Sequence, residues 1–498
     1  MHRPFEDKRR AGVLLHLSSL PGTGPIGTMG PAARRFVDFL QEAGQQVWQM
    51  LPLTPPALSD SPYSSNSVFA GNPYFIDLQA LEEEGALPPG SVAELPPGEP
   101  GRVDYKACRR RIIPLLRLAF RAQGAGKAAG IARFREEHGF WLEDYALYTA
   151  IQTKQGDISY LDWHQLLALR EPGEMERARR QLKEQVDFWV YVQYLFYTQW
   201  QELKRYANER GISLLGDMPI YTAAGSADVW ANNAVFQLDA RHRPTFVAGV
   251  PPDAFSDKGQ HWGNPLYDWE YLEKTGYAWW LGRLRVAALL YDEIRLDHFR
   301  ALDEYYAIPA ASPDARTGEW RRGPGLPFLR AVEEALPGLR LVAEDLGILT
   351  DGVHRLLAES GLPGMKVLLF AFDPAGGSVY LPHNHRPRSI AYIGTHDNDT
   401  AVGWLRQGNP REAAFAREYL CLNEAETPHW GMIRGLYGSV AATAIVQMQD
   451  FLGLDNTARM NTPGTVGENW VWRMLPNAAD RELAKKIRAW TARYGRLS

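Results

Sequence analysis

Short apolar runs that end in polar residues recur along the chain, and between them lie stretches whose apolar residues return every three or four positions. The first pattern predicts strands and the second helices, so their alternation predicts parallel strands joined by crossover helices. In order, the strand-like runs are AGVLLHLSSLPG (11–22), QQVWQMLPLTP (45–55), GISLLGDMPIY (211–221), YDEIRLDHFRAL (291–302), LRLVAEDLG (339–347), GMKVLLFAFD (364–373), SIAYIGTHDND (389–399) and IVQMQDFLGL (445–454). Eight such units predict an α/β fold, a (β/α)8 TIM barrel spanning 1–498 as one catalytic domain, with its active site at the C-terminal ends of the strands. Helical spacing is plain in PAARRFVDFLQEAG (31–44) and in GLPFLRAVEEALPG (325–338), which stops at Pro-Gly.

Two segments are too long to be barrel loops. Residues 84–205 read as an inserted, mainly helical subdomain, Tyr- and Trp-rich toward its end, followed by the barrel helix that leads into the third strand. Residues 224–269 read as a second insertion, loop-rich.

Composition narrows the function. Hydrophobic residues at 45% and charged residues at 22% describe an ordinary globular chain and exclude a disordered one. A net charge of -4 gives no basic footprint for nucleic acid or an anionic membrane, and leaves a neutral polar substrate open. The two cysteines, Cys108 and Cys421, make neither a disulfide framework nor a zinc site, and fit a reducing cytoplasm. The apolar run near the N-terminus is cut short by His16, and no run reaches the length of a membrane span. The 16 tryptophans, 22 tyrosines and 19 phenylalanines are mostly core in any such protein, but several stand beside Gly, Pro and Asn in loop-like contexts. Aromatic faces so placed suit the apolar C–H face of a sugar ring.

The charged residues gather where the predicted strands end. GTGPIG (22–27) has the glycine spacing of a dinucleotide loop, but Pro25 interrupts it and no acid closes the second run, so no nucleotide cofactor is expected. Asp297 ends the fourth run with Arg295 on the same face of the strand; the pair is either an oriented nucleophile or a structural ion pair. Glu344 leaves a dry strand, surroundings that raise a carboxyl's pKa and let it carry a proton. Asp345 should point the other way and is placed to cap a helix. Asp397, beside His396, is the third acid at a strand end, and its neighbours lack the spacing of a metal site. Three carboxyls from three strands of one barrel suit the cleavage of a glycosidic bond, with one attacking the anomeric carbon, one moving the proton and one binding ring hydroxyls.

Seven strings, DSPYSSNSVFAGNPY (60–74), GDMPIY (216–221), GVPPDAFSDKGQHWGNPLY (249–267), IRLDHFRAL (294–302), AEDLG (343–347), GTHDNDT (394–400) and RMNTPGTVGENWVWR (459–473), stand in one order along the chain. Together they resemble the 4-α-glucanotransferases of the amylomaltase, or disproportionating enzyme, family, relatives of the α-amylases. The resemblance implies Asp297 as nucleophile, Glu344 as general acid/base and Asp397 as transition-state stabiliser. It implies further that Arg295, His298 and His396 surround the cleaved ring, that Asp217 supports the site from the third strand, and that Tyr63 lies against the transferred sugar. Phe255 and Trp262 would grip the acceptor side, which gives the insertion at 224–269 a substrate-binding role, and Asn469 would bind substrate as well. Ile220-Tyr221 stands where α-amylases carry Asn-His, which favours the glucanotransferase branch. The expected partners are maltooligosaccharides and α-1,4-glucans, with no cofactor. An α-glucan hydrolase sharing the same acids, and a silent glucan-binding protein, are the rival readings.

Overall fold

Each of the eight runs holds a strand in the computed structural model, which describes residues 8–497 apart from 58, 94, 96–97, 125, 253–255 and 348. The strands are β1 (Arg10–Leu14), β2 (Val47–Gln49), β3 (Ser213–Pro219), β4 (Glu293–Asp297), β5 (Arg340–Ala343), β6 (Gly364–Val367), β7 (Ser389–Tyr392) and β8 (Thr443–Gln447). Parallel pairing runs β6-β7-β8-β1-β2-β3-β4-β5 around a (β/α)8 barrel. Between β5 and β6 no ladder forms among the described residues; the bond from Ala343 N to Pro363 O, 2.9 Å, spans that seam. β1 and β2 approach so closely that a Cβ at Gly12 would collide with Val47.

Two-residue alternation makes β4 unusual. Ile294 and Leu296 are buried on its outer face, which leaves Glu293, Arg295 and Asp297 on the face toward the barrel axis. Glu293 is fully buried and answered at the barrel floor by Arg10 of β1, whose Nη1 and Nη2 each lie 2.5 Å from a carboxylate oxygen. Arg10 Nε also donates to Thr443 of β8 at 2.9 Å, and Arg340 of β5 stands 3.8 Å from Glu293. Four strands are thereby tied at the end opposite the site.

The helix Pro31–Glu42 begins with proline in its first position and buries Ala33, Phe36, Val37, Phe39 and Leu40 against the barrel, the stripe its spacing predicts. The helix Gly325–Ala335 does the same with Phe328, Leu329 and Val332. Between β2 and β3 the chain is mainly helical and closes with the 27-residue helix Lys183–Glu209. That helix runs through the boundary expected at 205, because Leu203 and Ala207 of its last turns are buried and Trp200 Nε1 donates to Leu290 O at 2.8 Å.

The second insertion is less loop-like than expected. Phe246–Val250 and Gln260–Pro265 pair antiparallel with each other, and the former pairs with Glu304–Pro309, which pairs with Glu319–Arg322, to make a four-stranded sheet. Gln260, His261 and Trp262 on its edge are all exposed, so no apolar alternation announces that strand. Among the described residues no helix is long and apolar enough to cross a membrane.

The floor pair makes a stability prediction. Arg10→Met strands the Glu293 carboxylate in the core and should lower stability by about 3–5 kcal/mol. Arg133→Met, at an exposed ion pair with Glu137, should change it by less than about 1 kcal/mol. Chemical denaturation of the two variants beside the parent reads both values.

Candidate active site

Arg295 is the centre of the site. Its side chain is 5% exposed, and its Nη1 reaches both oxygens of the fully buried Asp217 carboxylate, at 2.8 and 2.7 Å. Its Nη2 lies 2.9 Å from Asp297 Oδ1. β3 and β4 pair with Asp217 beside Arg295, so neighbouring strands deliver the acid and the base in register. Burial disfavours the guanidinium charge, but Asp217 and Asp297 outweigh it and raise the arginine further.

Tyr63, from the loop after β2, donates its hydroxyl to Asp217 Oδ2 at 2.7 Å. Burial first, and then Asp217, push the phenol pKa well up, so the tyrosine remains a donor. Its ring stacks on His396, with centroids 5.1 Å apart and planes 17° from parallel. Burial lowers the His396 pKa and favours the neutral imidazole, whose Nε2 stands 3.4 Å from Asp397 Oδ1. Asn461 Nδ2 donates to the same Oδ1 at 2.6 Å, and Arg459 Nη2 donates to the Asp397 carbonyl at 2.5 Å. Arg459 also pairs with Asp399, which makes Asp399 a structural contact at the strand end.

Glu344 follows β5. Its Oε2 accepts from His298 N at 2.7 Å and its Oε1 from Leu346 N at 2.9 Å. His298 has a left-handed backbone, φ 55°, an uncommon conformation for a residue with a side chain. That turn aims its N–H at Glu344 while its ring meets Trp262 edge to face, centroids 4.9 Å apart. Burial pushes the Glu344 carboxyl up, Arg295 and the two backbone bonds pull it back, and Asp345 adds to the rise. Burial pushes Asp297 up as well, Arg295 pulls it back, and Asp217, Glu344 and Asp397 add to the rise. Asp297 and Glu344 are thus both raised by burial and lowered by the same arginine, and two carboxyls whose titrations interact can divide the roles of nucleophile and acid.

A cleft of about 920 Å3 opens above these groups. Tyr63, Trp262, Asp297, His298, His396 and Asp397 line it, while Asp217 and Arg295 support it from within the barrel. Glu344 joins through the backbone of His298 rather than as a lining residue. Asn469 does not line the cleft: its amide is spent inside its own loop, accepting from Thr462 N at 3.0 Å and donating to Thr465 O at 3.0 Å. Phe255 lies outside the described residues. Asp345 caps no helix; its carboxylate accepts from Met365 N of β6, and Thr350 caps the helix that follows. Sequence reasoning missed Asn461 and Trp470, both cleft-lining, although both stand within the string 459–473 that carried the resemblance.

A family model described as 4-alpha-glucanotransferase, glycoside hydrolase family 77, matches residues 15–478. Among curated relatives, the 4-alpha-glucanotransferase of Clostridium butyricum is 43% identical over 97% of this chain and all of its own. That of Thermus thermophilus is 44% identical over 99% of this chain and all of its own. Among solved structures, an amylomaltase from Streptococcus agalactiae in complex with acarbose superposes with a TM-score of 0.96 at 38% identity, covering 99% of this chain and all of its own.

Tyr63 has two separable parts. Tyr63→Phe keeps the ring over His396 but removes a hydrogen bond to a charged, buried carboxylate, and should lower kcat/KM by about tenfold. Tyr63→Ala removes the ring as well and should cost about ten times more. Equal losses in steady-state kinetics would show that the hydroxyl alone matters.

Proposed function

Because the chain belongs to the 4-α-glucanotransferases of glycoside hydrolase family 77, enzymes acting on α-1,4-glucans, we propose that it transfers glucan segments by double displacement with Asp297, Glu344 and Asp397 as its three working carboxyls. One observation carries these roles: a single buried arginine holds Asp217 with one nitrogen and leaves the other for Asp297, whose side chain remains 29% open to the cleft.

In the first step an Asp297 oxygen bonds to the anomeric carbon, the bond from that carbon to the 4-oxygen of the next glucose breaks, and the Glu344 proton passes to that oxygen. In the second, the Glu344 carboxylate takes the proton from the 4-hydroxyl of an acceptor, whose oxygen bonds to the anomeric carbon and displaces Asp297. Two inversions return the original α configuration. Asp397, fixed by Asn461, and the neutral His396 bind hydroxyls of the ring as it flattens toward the oxocarbenium ion, and Tyr63 lies against that ring. Trp262, on the exposed edge of the small sheet and against His298, forms a wall on which an acceptor sugar packs and which keeps water from the intermediate. Phe255, of the same sequence string as Trp262, would grip the acceptor as well. Maltooligosaccharides and longer α-1,4-glucans serve as both donor and acceptor, without a cofactor. Both cysteines are free, in keeping with a reducing cytoplasm.

Incubated with maltotriose alone, the protein should release glucose and build longer chains at constant total reducing ends; rising reducing ends without longer chains would make water the acceptor. Asp297→Asn should lower transfer by at least about 10⁴-fold and retain maltooligosaccharide affinity. Unchanged transfer by that variant would move the nucleophile elsewhere.

A further inference from the structure

Asp345 takes no part in the steps above, yet it is buried directly beside Glu344. On the β4 side the backbone of Glu344 is bound twice, its N donating to Leu296 O at 3.1 Å and its carbonyl accepting from Phe299 N at 3.2 Å. On the β6 side the backbone contact stops one residue earlier, at the bond from Ala343 N to Pro363 O. Past that point a side chain takes over. Asp345 Oδ1 accepts from Met365 N at 2.5 Å, and Oδ2 lies 3.8 Å from Lys366 Nζ. The neighbouring position on β6 is Gly364, where a Cβ would collide with the Asp345 carboxylate. Met365 passes the contact on, its Sδ lying 3.4 Å from Arg295 Nε.

We infer that Asp345 is a positioning residue for Glu344, its carboxylate closing the seam between β5 and β6 and fixing the direction in which β5 presents the acid/base. The two residues share a peptide plane. Strand alternation sends their side chains to opposite sides, so anchoring the Asp345 carboxylate on β6 sets the backbone that aims Glu344 at the β4 side. Without the anchor, the chain past Ala343 loses its tie to β6 and keeps the one to β4. A displacement of about 1 Å at a reacting group costs on the order of 100-fold in rate.

The inference rests on Glu344 being the acid/base, and two donors keep the two apart. Cleavage of maltotriose needs a proton on the departing sugar, whereas α-maltotriosyl fluoride releases fluoride without one. In single turnovers, Asp345→Ala should lose about 100-fold in glucose release from maltotriose and less than about threefold in fluoride release. Asp345→Asn retains an oxygen that can accept from Met365 N and should recover most of the maltotriose rate. Gly364→Ala, which leaves every ionisable group in place, should reproduce the donor-selective loss by displacing the carboxylate, and serves if Asp345→Ala does not fold. Equal losses on both donors, or parental rates in Asp345→Ala or Gly364→Ala, overturn the inference. Glu344→Gln is measured alongside: equal losses there mean that the acid/base assignment has failed, and a selective loss there without one in the Asp345 and Gly364 variants means that only the positioning role has.

Discussion

A guanidinium in the middle of a barrel is tolerable only while its partners stay in place, and Arg295 sets that condition for the whole site. Removing one partner from a buried ion pair costs several kcal/mol, because the remaining charge is left dry and unanswered. Asp217 is therefore held by both oxygens on Nη1, with a third bond from the Tyr63 hydroxyl. Only Nη2 is left for Asp297, and it fixes one oxygen of that carboxylate while part of the side chain faces the cleft. In the proposed role of nucleophile, a carboxylate so placed would react from one orientation, which removes much of the entropic part of the barrier.

The constraint spreads along β4. A strand reading Glu-Ile-Arg-Leu-Asp puts three charges toward a barrel axis, where branched apolar side chains are the rule. Each charge is neutralised at its own level: Glu293 by Arg10 at the floor, Arg295 by Asp217 in the middle, Asp297 by Arg295 at the rim. Local preference gives way here because function and floor share one strand face, and the cost is met by exact partners on β1 and β3 rather than by apolar packing.

That logic explains what could be read from the sequence. The eight strands and the acids at their ends are local features, visible as apolar runs that stop at charge, and Asp297 with Arg295 two residues before it announces its own pairing. The small sheet beside the barrel was hidden because its edge, Gln260–Trp262, is exposed on every residue. Asn461 was hidden because its tie to Asp397 spans 64 positions, and its string does not show which of its polar side chains turns toward the cleft. Asn469 misled in the opposite sense: a polar residue in a strongly marked string turned its amide to its own loop. The seam between β5 and β6 is a property of barrel closure, and an acid after a strand looks the same whether it caps a helix or bridges two strands.

His298 shows most clearly how backbone and side chain divide the work. Its left-handed conformation costs on the order of 1 kcal/mol for a residue with a Cβ, and glycine would adopt it freely. Glycine would keep the N–H that holds Glu344 and would lose the ring that meets Trp262. The chain carries the strain and makes both contacts from one residue: the backbone holds Glu344 on the barrel, and the ring meets Trp262 of the small sheet. On the proposed roles of Glu344 and Trp262, hydrolysis would need only the first of these, since water packs against nothing. Transfer needs the acceptor oxygen, the proton carrier and the anomeric carbon in register, and a strained histidine at the end of β4 is where the strand-borne half of the site meets the half borne by the small sheet.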